Sequence, residues 1–324
     1  EKVGCSDTFQ MVAQLDHRLN PDPTGPRSVQ RLELPPDDQP GLRSPVKMDL
    51  GEISMSRPEA LADFIQWGMK NYPAENYWLV VSDHGEAWKG ACQDDGHEDW
   101  MSLPDLQKGL ELAREATGRK LDLLSFDCCY MGSLEVAHQL RNEAGIMIAS
   151  EEEMGYMGLP YDRLLQDMDH SPTELARRVV KLASEGPINE IPTSAAIDLS
   201  RVGAVSEAVK ELGQAVLATS SDLTGAARAT QTFWQYKDIY DLTVQIQQRA
   251  DQDERLRQAC QQVQSALDEA VLAEQHAPTH PGAHGLQIEL DPDAAERQDG
   301  SAYDETAFAT ETGWAEAARK LTLA

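Results

Sequence analysis

The chain has 324 residues, of which 41% are hydrophobic, so it can bury a substantial core in one large domain or two smaller ones. Its formal net charge is −27, from 28 Lys and Arg against 55 Asp and Glu. Such a charge repels nucleic-acid phosphates and anionic lipid heads, so we expect no nucleic-acid partner. No apolar run approaches the roughly 18 residues that a membrane span needs, so we also expect no membrane insertion.

The number of cysteines and the N-terminal residues give information about the cellular compartment of the protein. The five cysteines are few, odd in number and without a recognisable spacing, so no disulfide framework is predicted. The sequence from Glu1 onwards has no basic and apolar leader, so no signal peptide is predicted. A mature or trimmed chain would look the same, so secretion is not excluded.

The first part of the chain predicts two strands, a loop and a helix. The strands are Phe9 to Leu15 and Val29 to Leu34, and the loop from Pro35 to Pro45 is rich in proline. Ser56 and Glu59 have the spacing of a capping box, and apolar residues at helical intervals follow them.

Further strands and helices alternate after this helix. The predicted strands are Tyr77 to Ser82, Leu121 to Asp127, Ile146 to Ala149, Thr193 to Leu199 and Leu286 to Leu290. The predicted helices are one that Ser102 caps and that ends before Gly118, one from Leu134 to Leu140, one that starts at Ser171, a mostly helical stretch from Ala204 to Gln275, and a closing helix from Thr312 to Leu321. A polar loop covers Glu86 to Met101.

This alternation predicts an α/β fold with a mainly parallel sheet flanked by helices on both faces. We expect a single domain over residues 1–324, with a catalytic α/β core in residues 1–200. Residues 201–324 are expected to form a mostly helical extension with a final strand and helix. Active sites of such sheets lie beyond the carboxyl ends of the strands.

Two strand ends carry a candidate base and a candidate nucleophile. The strand that ends at Ser82 leads into His84 and Gly85, and the strand from Leu121 leads into Cys129. A cysteine attacks as the thiolate, so it needs a base or a lowered pKa, and His84 can supply the base. Backbone N–H groups near Gly85 or after Cys129 are candidates for stabilising an oxyanion.

Two adjacent thiols follow the second strand, and alternation along it predicts that Cys128 and Cys129 point in opposite directions. One can then be the nucleophile while the other belongs to the core. From the spacing alone, the alternative that both are small buried hydrophobic residues stays open.

Several segments resemble the clostripain family of cysteine peptidases, which belong to the caspase and gingipain clan. The family's histidine segment and nucleophile segment, an apolar strand followed by D-x-C-x-M-G, are matched in order. The matching segments are His84 to Gly90, Leu123 to Gly132, Glu135 to Ala137, Ala149 to Glu152, Gly158 to Tyr161, Gly285 to Ile288, and Gly313 to Trp314.

The resemblance implies a caspase/hemoglobinase-like fold and a protein or peptide substrate. It maps the base onto His84 and the nucleophile onto Cys129, and leaves Cys128 to the core. Asp127 maps onto an acid at the base of a specificity pocket that favours Arg or Lys before the scissile bond, and a carboxylate there would pair with such a cation. Gly85, Ser150 and Glu151 are the other predicted substrate-binding residues. The resemblance also favours an extracellular or cell-envelope location.

The chain departs from the family pattern in two places. The resemblance implies a further β–α unit before the strand at Phe9, so we expect the sequence to begin after that unit. Relatives that cleave after basic residues often carry a second acid in the loop from Gly155 to Gly158, and this loop has none. Glu151 to Glu153 lie just upstream and are candidates to replace it.

Two metal sites are weaker alternatives, and no cofactor is expected to be required. The acidic loop from Asp94 to Asp99 could bind Ca²⁺, but it lacks the EF-hand spacing and also reads as a solvated loop. A zinc site from Cys92, His97, Cys128 and Cys129 lacks the usual ligand spacings.

The leading hypothesis is a cysteine endopeptidase with a His84/Cys129 dyad that cleaves after Arg or Lys. The alternative is a catalytically silent relative that binds peptides or scaffolds partners. Family members are often zymogens cut at a basic site, for which Arg43, Lys47 and Lys89 are candidates.

Overall fold

The computed structural model describes residues 5–6, 8–17, 28–36, 43–168, 170–185, 191–250 and 252–322. The strands are β1 (Val12–Asp16), β2 (Val29–Glu33), β3 (Val46–Asp49), β4 (Trp78–Ser82), β5 (Gly90–Asp94), β6 (Asp99–Ser102), β7 (Leu121–Asp127), β8 (Ala144–Ala149), β9 (Thr193–Asp198), β10 (Thr232–Phe233), β11 (Tyr236–Asp238), β12 (Val271–His276) and β13 (Gln287–Glu289).

The helices lie between these strands and after them. They are α1 (Pro58–Asn71), α2 (Leu103–Thr117), α3 (Leu134–Leu140), α4 (Tyr161–Leu164), α5 (Pro172–Ser184), α6 (Val202–Ala218), α7 (Thr224–Ala229), α8 (Ile239–Arg249), α9 (Glu254–Ala270), α10 (Pro292–Asp299), α11 (Ala307–Thr312) and α12 (Trp314–Thr322). Short 3₁₀ helices cover Ala87–Lys89, Leu199–Arg201 and Tyr303–Glu305. No helix in the described parts of the chain is long and apolar enough to cross a membrane.

A five-stranded central sheet has the order β12-β9-β8-β7-β4. β7 runs parallel to both of its neighbours, β4 and β8. β9 runs antiparallel to β8 and to β12. The prediction of a sheet flanked by helices is confirmed, but the sheet is mixed, and its parallel half is the half that ends at the two predicted catalytic segments.

Alternation along β7 explains why helices cover both faces of this sheet. Leu123 belongs to a hydrophobic cluster on one face, where it packs with residues of α5 such as Val179. Leu124 belongs to the cluster on the other face, which includes Leu106 of α2 and Val209 of α6. A central strand with both faces buried reads as a near-continuous apolar run, and residues 121–126 show this pattern apart from Asp122 and Ser125.

Two three-stranded sheets and the two-stranded β5–β6 sheet accompany the central one in the described parts of the chain. β1, β2 and β3 form an antiparallel sheet, in which Arg31 is almost fully buried and pairs with Asp63 at 2.5 Å. β10, β11 and β13 form the second, which we call the C-terminal sheet. Its last strand, β13, is bonded to α12, because the Trp314 indole N–H donates to the Glu289 carbonyl oxygen at 2.9 Å.

Several local predictions hold. Ser102 caps α2 by accepting the Asp105 N–H, and Gly118 ends that helix in the left-handed conformation. Ser171 and Glu174 form a full capping box at the start of α5. Predicted strands coincide with β2, β4, β7, β8, β9 and β13 to within a few residues.

Other local predictions are wrong. The capping box at Ser56 does not form, because α1 begins at Pro58 with Arg57 as its N-cap, and the Ser56 hydroxyl instead bonds the Ser54 hydroxyl at 2.7 Å. The polar loop after residue 85 contains a hairpin of β5 and β6. The stretch read as mostly helical contains β10, β11 and the long edge strand β12. β3 was also missed, and the first strand begins at Val12 rather than Phe9.

Candidate active site

The parallel pairing of β4 and β7 brings the two predicted catalytic segments together. The register sets Ser82 beside Asp127, so the residues that follow each strand leave the sheet side by side. We call residues 83–90 the base loop and residues 128–133 the nucleophile turn. His84 and Cys129 each lie two residues past this last pair, at the carboxyl edge of the sheet, where ligands of such folds bind.

Gly85 fixes how closely the base loop approaches the nucleophile turn. A Cβ at this position would lie 2.5 Å from the Cys129 carbonyl oxygen and 2.8 Å from the Cys128 Cβ. Only glycine permits this approach. The base loop is also tied to the β5 hairpin, because the Cys92 N–H donates to the His84 carbonyl oxygen at 3.0 Å. The His84 side chain is exposed, and the Cys129 side chain is half-buried.

Cys129 has the environment of a thiol that needs a base. Partial burial raises its pKa, and the carboxylates of Glu153, Glu152 and Asp127 raise it further. The Met154 N–H, 3.3 Å from Sγ, acts in the opposite direction. The resting group is therefore a thiol rather than a thiolate, and its attack on a carbonyl requires proton removal.

Cys128 is distinguished from Cys129 by burial. Its side chain is 1% exposed, and its S–H donates to the Val81 carbonyl oxygen at 3.3 Å. Burial raises its pKa well above the usual range. The prediction that alternation sends one thiol into the core and the other towards the strand end agrees with this placement.

The nucleophile turn is held by a segment that we call the strap, residues 150–154. The Gly132 N–H donates to the Ser150 carbonyl oxygen at 2.7 Å, and the Tyr130 N–H donates to the Glu152 carbonyl oxygen at 3.3 Å. Tyr130 has a φ of 61°, a left-handed conformation that a non-glycine residue keeps only when its surroundings hold it. The backbone after Cys129 is therefore fixed in an unusual shape.

Asp127 faces the loop that was matched to the family's substrate loop. Its Oδ2 accepts hydrogen bonds from the Leu159 N–H at 3.2 Å and from the Tyr161 hydroxyl at 2.8 Å. Gly158, with a φ of 61°, packs so closely that any Cβ would collide with the carboxyl group. Both of these hydrogen bonds use Oδ2, and no donor among the described residues bonds Oδ1, so its lone pairs can accept from a ligand. The same loop carries two exposed apolar side chains, Tyr156 and Met157.

Ser150 and Glu151 do not lie where the sequence predicted. Each side chain is 1% exposed, so neither is placed to contact a substrate. The Ser150 hydroxyl bonds the Thr193 hydroxyl at 2.9 Å. The Glu151 carboxyl accepts the Gly285 N–H at 2.9 Å, and burial beside Asp238 raises its pKa well above the usual range. These two bonds tie the strap to Thr193 and Gly285, and Glu153 is the most exposed acid of this segment.

The acidic loop and the proposed zinc ligands do not form a metal site among the described residues, which contain no cluster of three or more His, Cys, Asp or Glu side chains suited to a metal ion. Asp94 is instead buried and organises its own surroundings. Its carboxylate accepts the Met55 N–H at 2.9 Å and the His97 N–H at 3.0 Å.

The structure adds residues near the site that the sequence did not single out. Gln287 and Glu289 of β13 contact the nucleophile turn and the base loop. Trp234 lies at the tip of the β10–β11 hairpin, 52% exposed, with its ring 5.5 Å from that of Tyr130. In residues 286–290, Gln287 and Glu289 alternate with apolar residues, and this alternation predicts a strand with one polar face. What the alternation alone does not indicate is that this polar face is buried.

Comparison with known proteins places this arrangement in a family. A sequence model of the clostripain family, Peptidase_C11, matches residues 45–316. Clostripain from Hathewaya histolytica is 31% identical to the chain over a region that covers 35% of this chain and 24% of clostripain. The match therefore spans about a quarter of that relative's length.

Two solved structures share the fold. A secreted C11 cysteine protease from Bacteroides thetaiotaomicron, in complex with an irreversible peptide inhibitor, superposes with a TM-score of 0.65 at 17% identity, over 95% of this chain and 88% of that one. An inactive zymogen C11 protease from Parabacteroides distasonis gives a TM-score of 0.66 at 18% identity, over 88% of this chain and 84% of that one. The predicted caspase-like fold is confirmed by these likenesses. Because the family's sequence model extends over most of the chain, this protein belongs to the clostripain family.

Proposed function

We propose that this chain is a cysteine endopeptidase in which Cys129 is the nucleophile and His84 moves the proton. The observation that carries the proposal is the contact of Gly85 with the Cys129 carbonyl oxygen. It sets a histidine-bearing loop against a turn with one buried and one accessible thiol. Membership of the clostripain family supports the same assignment.

The reaction begins when His84 removes the thiol proton of Cys129 as Sγ attacks the scissile carbonyl carbon. An S–C bond forms, and the carbonyl π electrons move onto oxygen, where backbone N–H groups near Gly85 or in the nucleophile turn stabilise the charge. His84 then gives its proton to the leaving amine as the C–N bond breaks. In the second half, His84 takes a proton from water as the water oxygen attacks the thioester carbon. The C–S bond then breaks, His84 returns the proton to Sγ, and the acid product leaves.

The electrostatics of the site favour a cationic substrate. Glu153 and Asp127 both lie close enough to Cys129 to raise its pKa, and the whole chain carries a net charge of −27. We propose that Asp127 selects Arg or Lys before the scissile bond, through the Oδ1 lone pairs that the loop leaves open. A charge-assisted hydrogen bond of this kind contributes about 1.5–3 kcal/mol, which corresponds to at least about tenfold selectivity.

The test uses fluorogenic peptides that differ only in the residue before the scissile bond: Arg, Lys or norleucine. Cys129→Ala and His84→Ala are each expected to lower kcat/KM by at least about 10³-fold. Cys128→Ala is the matched control, because the neighbouring thiol is buried and should be dispensable for the chemistry. Full activity of Cys129→Ala would disprove the assigned nucleophile. An inert wild type would favour the alternative of a silent peptide-binding relative.

Selectivity is tested separately with Asp127→Asn, which keeps the shape of the side chain and removes its charge. We expect the ratio of kcat/KM for Arg over norleucine to fall by at least about tenfold. Equal rates on all three peptides in the wild type would rule out a basic preference while leaving the dyad intact.

A further inference from the structure

The C-terminal sheet presents a polar face to both catalytic loops. In the antiparallel pairing of β11 and β13, Tyr236 lies opposite Glu289 and Asp238 lies opposite Gln287. Side chains two residues apart on a strand share a face, so these four residues point the same way. All four are fully buried. Burying polar side chains costs more free energy than burying aliphatic ones unless the polar groups are hydrogen-bonded, so the cost at this face depends on the partners of these four residues.

Gln287 holds the nucleophile turn on both sides of Met131. Its backbone N–H donates to the Gly132 carbonyl oxygen at 2.9 Å. Its side-chain amide donates to the Tyr130 carbonyl oxygen at 2.7 Å. The residue after the nucleophile, whose backbone is in the left-handed region, is thus fixed through its N–H by the strap and through its carbonyl by Gln287.

Glu289 holds the base loop. Its Oε2 accepts the Trp88 indole N–H at 3.2 Å and the Gln235 amide at 3.3 Å. Trp88 is 6% exposed and follows Ala87, which has a φ of 49°. The other carboxylate oxygen, Oε1, accepts the Asp291 N–H at 2.8 Å. All three groups that bond the Glu289 carboxyl are donors, and one of them is Trp88, in the loop that carries His84.

We propose that Gln287 and Glu289 are positioning residues that set the base loop and the nucleophile turn at a fixed separation, and so place His84 against Cys129. The two residues sit two positions apart on one short strand, and each holds one of the two loops. The rigidity of that strand is what transmits the alignment. The inference rests on the proposed dyad, and it adds a third element, β13, to the machinery formed by β4 and β7.

Other buried polar atoms of this face fit the same interpretation. The Glu289 N–H donates to Glu135 Oε1 at 2.9 Å, and the Tyr303 hydroxyl donates to the same atom at 2.8 Å. Glu135 belongs to α3, the helix that begins directly after the nucleophile turn. The strand is therefore tied to the turn, to the helix that follows the turn, and to the base loop.

The test compares variants that remove one donor or acceptor with little change in volume. Gln287→Met removes the donor to Tyr130, and Trp88→Phe removes the donor to Glu289 while keeping an aromatic ring. We expect each to lower kcat at least fivefold while KM changes less than twofold, because substrate contacts remain and only the alignment is lost. Glu289→Met should behave like Trp88→Phe, and their double variant should lose no more than either alone. Glu289→Gln, which keeps an acceptor oxygen, should recover most of the activity.

Thr243→Val is the control for losing a buried polar group elsewhere. Thr243 is fully buried in α8 and accepts the Gln264 amide at 2.8 Å, away from both loops. It should lower stability and leave kcat unchanged. The proposal is overturned if folded Gln287→Met and Trp88→Phe keep wild-type kcat, or if Thr243→Val loses as much. Amide hydrogen exchange gives a readout independent of turnover: Gln287→Met should speed exchange in residues 129–133, and unchanged exchange there would also refute it. If the wild type is inactive but Gln287→Met still speeds exchange in residues 129–133, the proposed endopeptidase function is wrong while the positioning role of Gln287 stands.

Discussion

Gly85→Ala is the sharpest single test of the distance between the catalytic loops. The added Cβ would lie 2.5 Å from the Cys129 carbonyl oxygen, whereas an ordinary contact starts at 3.4 Å, so the loops must separate by about 0.9 Å. The two nearest atoms are a backbone oxygen and a Cβ, neither of which can rotate away, and the third is Met131 Cγ at 3.0 Å. A misplacement of about 1 Å costs a reaction about 10²-fold, so we expect kcat/KM to fall by about that factor, or about 2.7 kcal/mol of transition-state stabilisation.

The assay is kcat/KM on the best peptide substrate, normalised by active-site titration, with the melting temperature measured on the same samples. Gly68→Ala is the control, because this glycine lies inside α1 and a Cβ there would meet nothing within 4 Å. Alanine should stabilise that helix by about 1 kcal/mol, raise Tm by about 2 °C and leave kcat/KM unchanged. If folded Gly85→Ala keeps activity within threefold of wild type, the close contact does not set the dyad geometry and the reasoning fails.

The remaining predictions concern selectivity and stability. Gly158→Ala should cost about 1 kcal/mol through its left-handed backbone, as should Gly118→Ala, whose Cβ would lie in open space. Only the Cβ of Gly158→Ala would also collide with Asp127, so only this variant should lower the ratio of kcat/KM for the Arg peptide over the norleucine peptide. An equal ratio in both variants would contradict this. Burial raises the pKa of Glu289 to about 7, so its contribution to folding stability is present below about pH 4.5 and is lost as the pH rises through about 7. Urea unfolding of Glu289→Gln should lack up to about 3 kcal/mol of this pH dependence, and a curve parallel to wild type would refute it. Ser171→Ala removes an exposed capping box and should cost about 1 kcal/mol, seen as a lower Tm, with no change in kcat/KM.

The elements that carry the chemistry were the easiest to predict. β4 and β7 are largely apolar runs that end in polar residues, and their parallel direction is what the alternation of strands and helices predicts. Alternation separated the two thiols, and the structure buries Cys128 in the core and leaves Cys129 half-buried. These features depend on residues that are close in sequence, which is why the sequence contains them.

The failures involve contacts between distant parts of the chain. Glu151 lies in a run of three acids and reads as exposed, but its carboxyl is bonded to Gly285, which the sequence does not place nearby. β12 continues from α9 with no glycine or proline between them, so nothing local marks the change from helix to strand. Its partner β9 runs antiparallel to it, and strand direction in such a sheet is decided by the crossover rather than by either strand's own residues.

Asp127 shows where local sequence and resemblance together still fall short. Its position at the end of β7 was predictable, but its two hydrogen bonds to Leu159 and Tyr161 come from a loop more than 30 positions away. The loop lacks a second acid, so the proposed selectivity for a basic side chain rests on the Asp127 carboxylate and on what its Oδ1 can accept. That dependence makes Asp127→Asn a clean measurement in this chain.

The bond between the Gln287 N–H and the Gly132 carbonyl oxygen joins residues 155 positions apart, and it has a consequence for biosynthesis. While the chain is being made, His84 and Cys129 emerge from the ribosome long before β13. Until residues 287–289 arrive, the nucleophile turn lacks one of its backbone partners and the base loop lacks the acceptor for Trp88. Under the proposed mechanism, a nascent chain therefore contains His84 and Cys129 before the contacts that align them, and those contacts form only after β13 has been made.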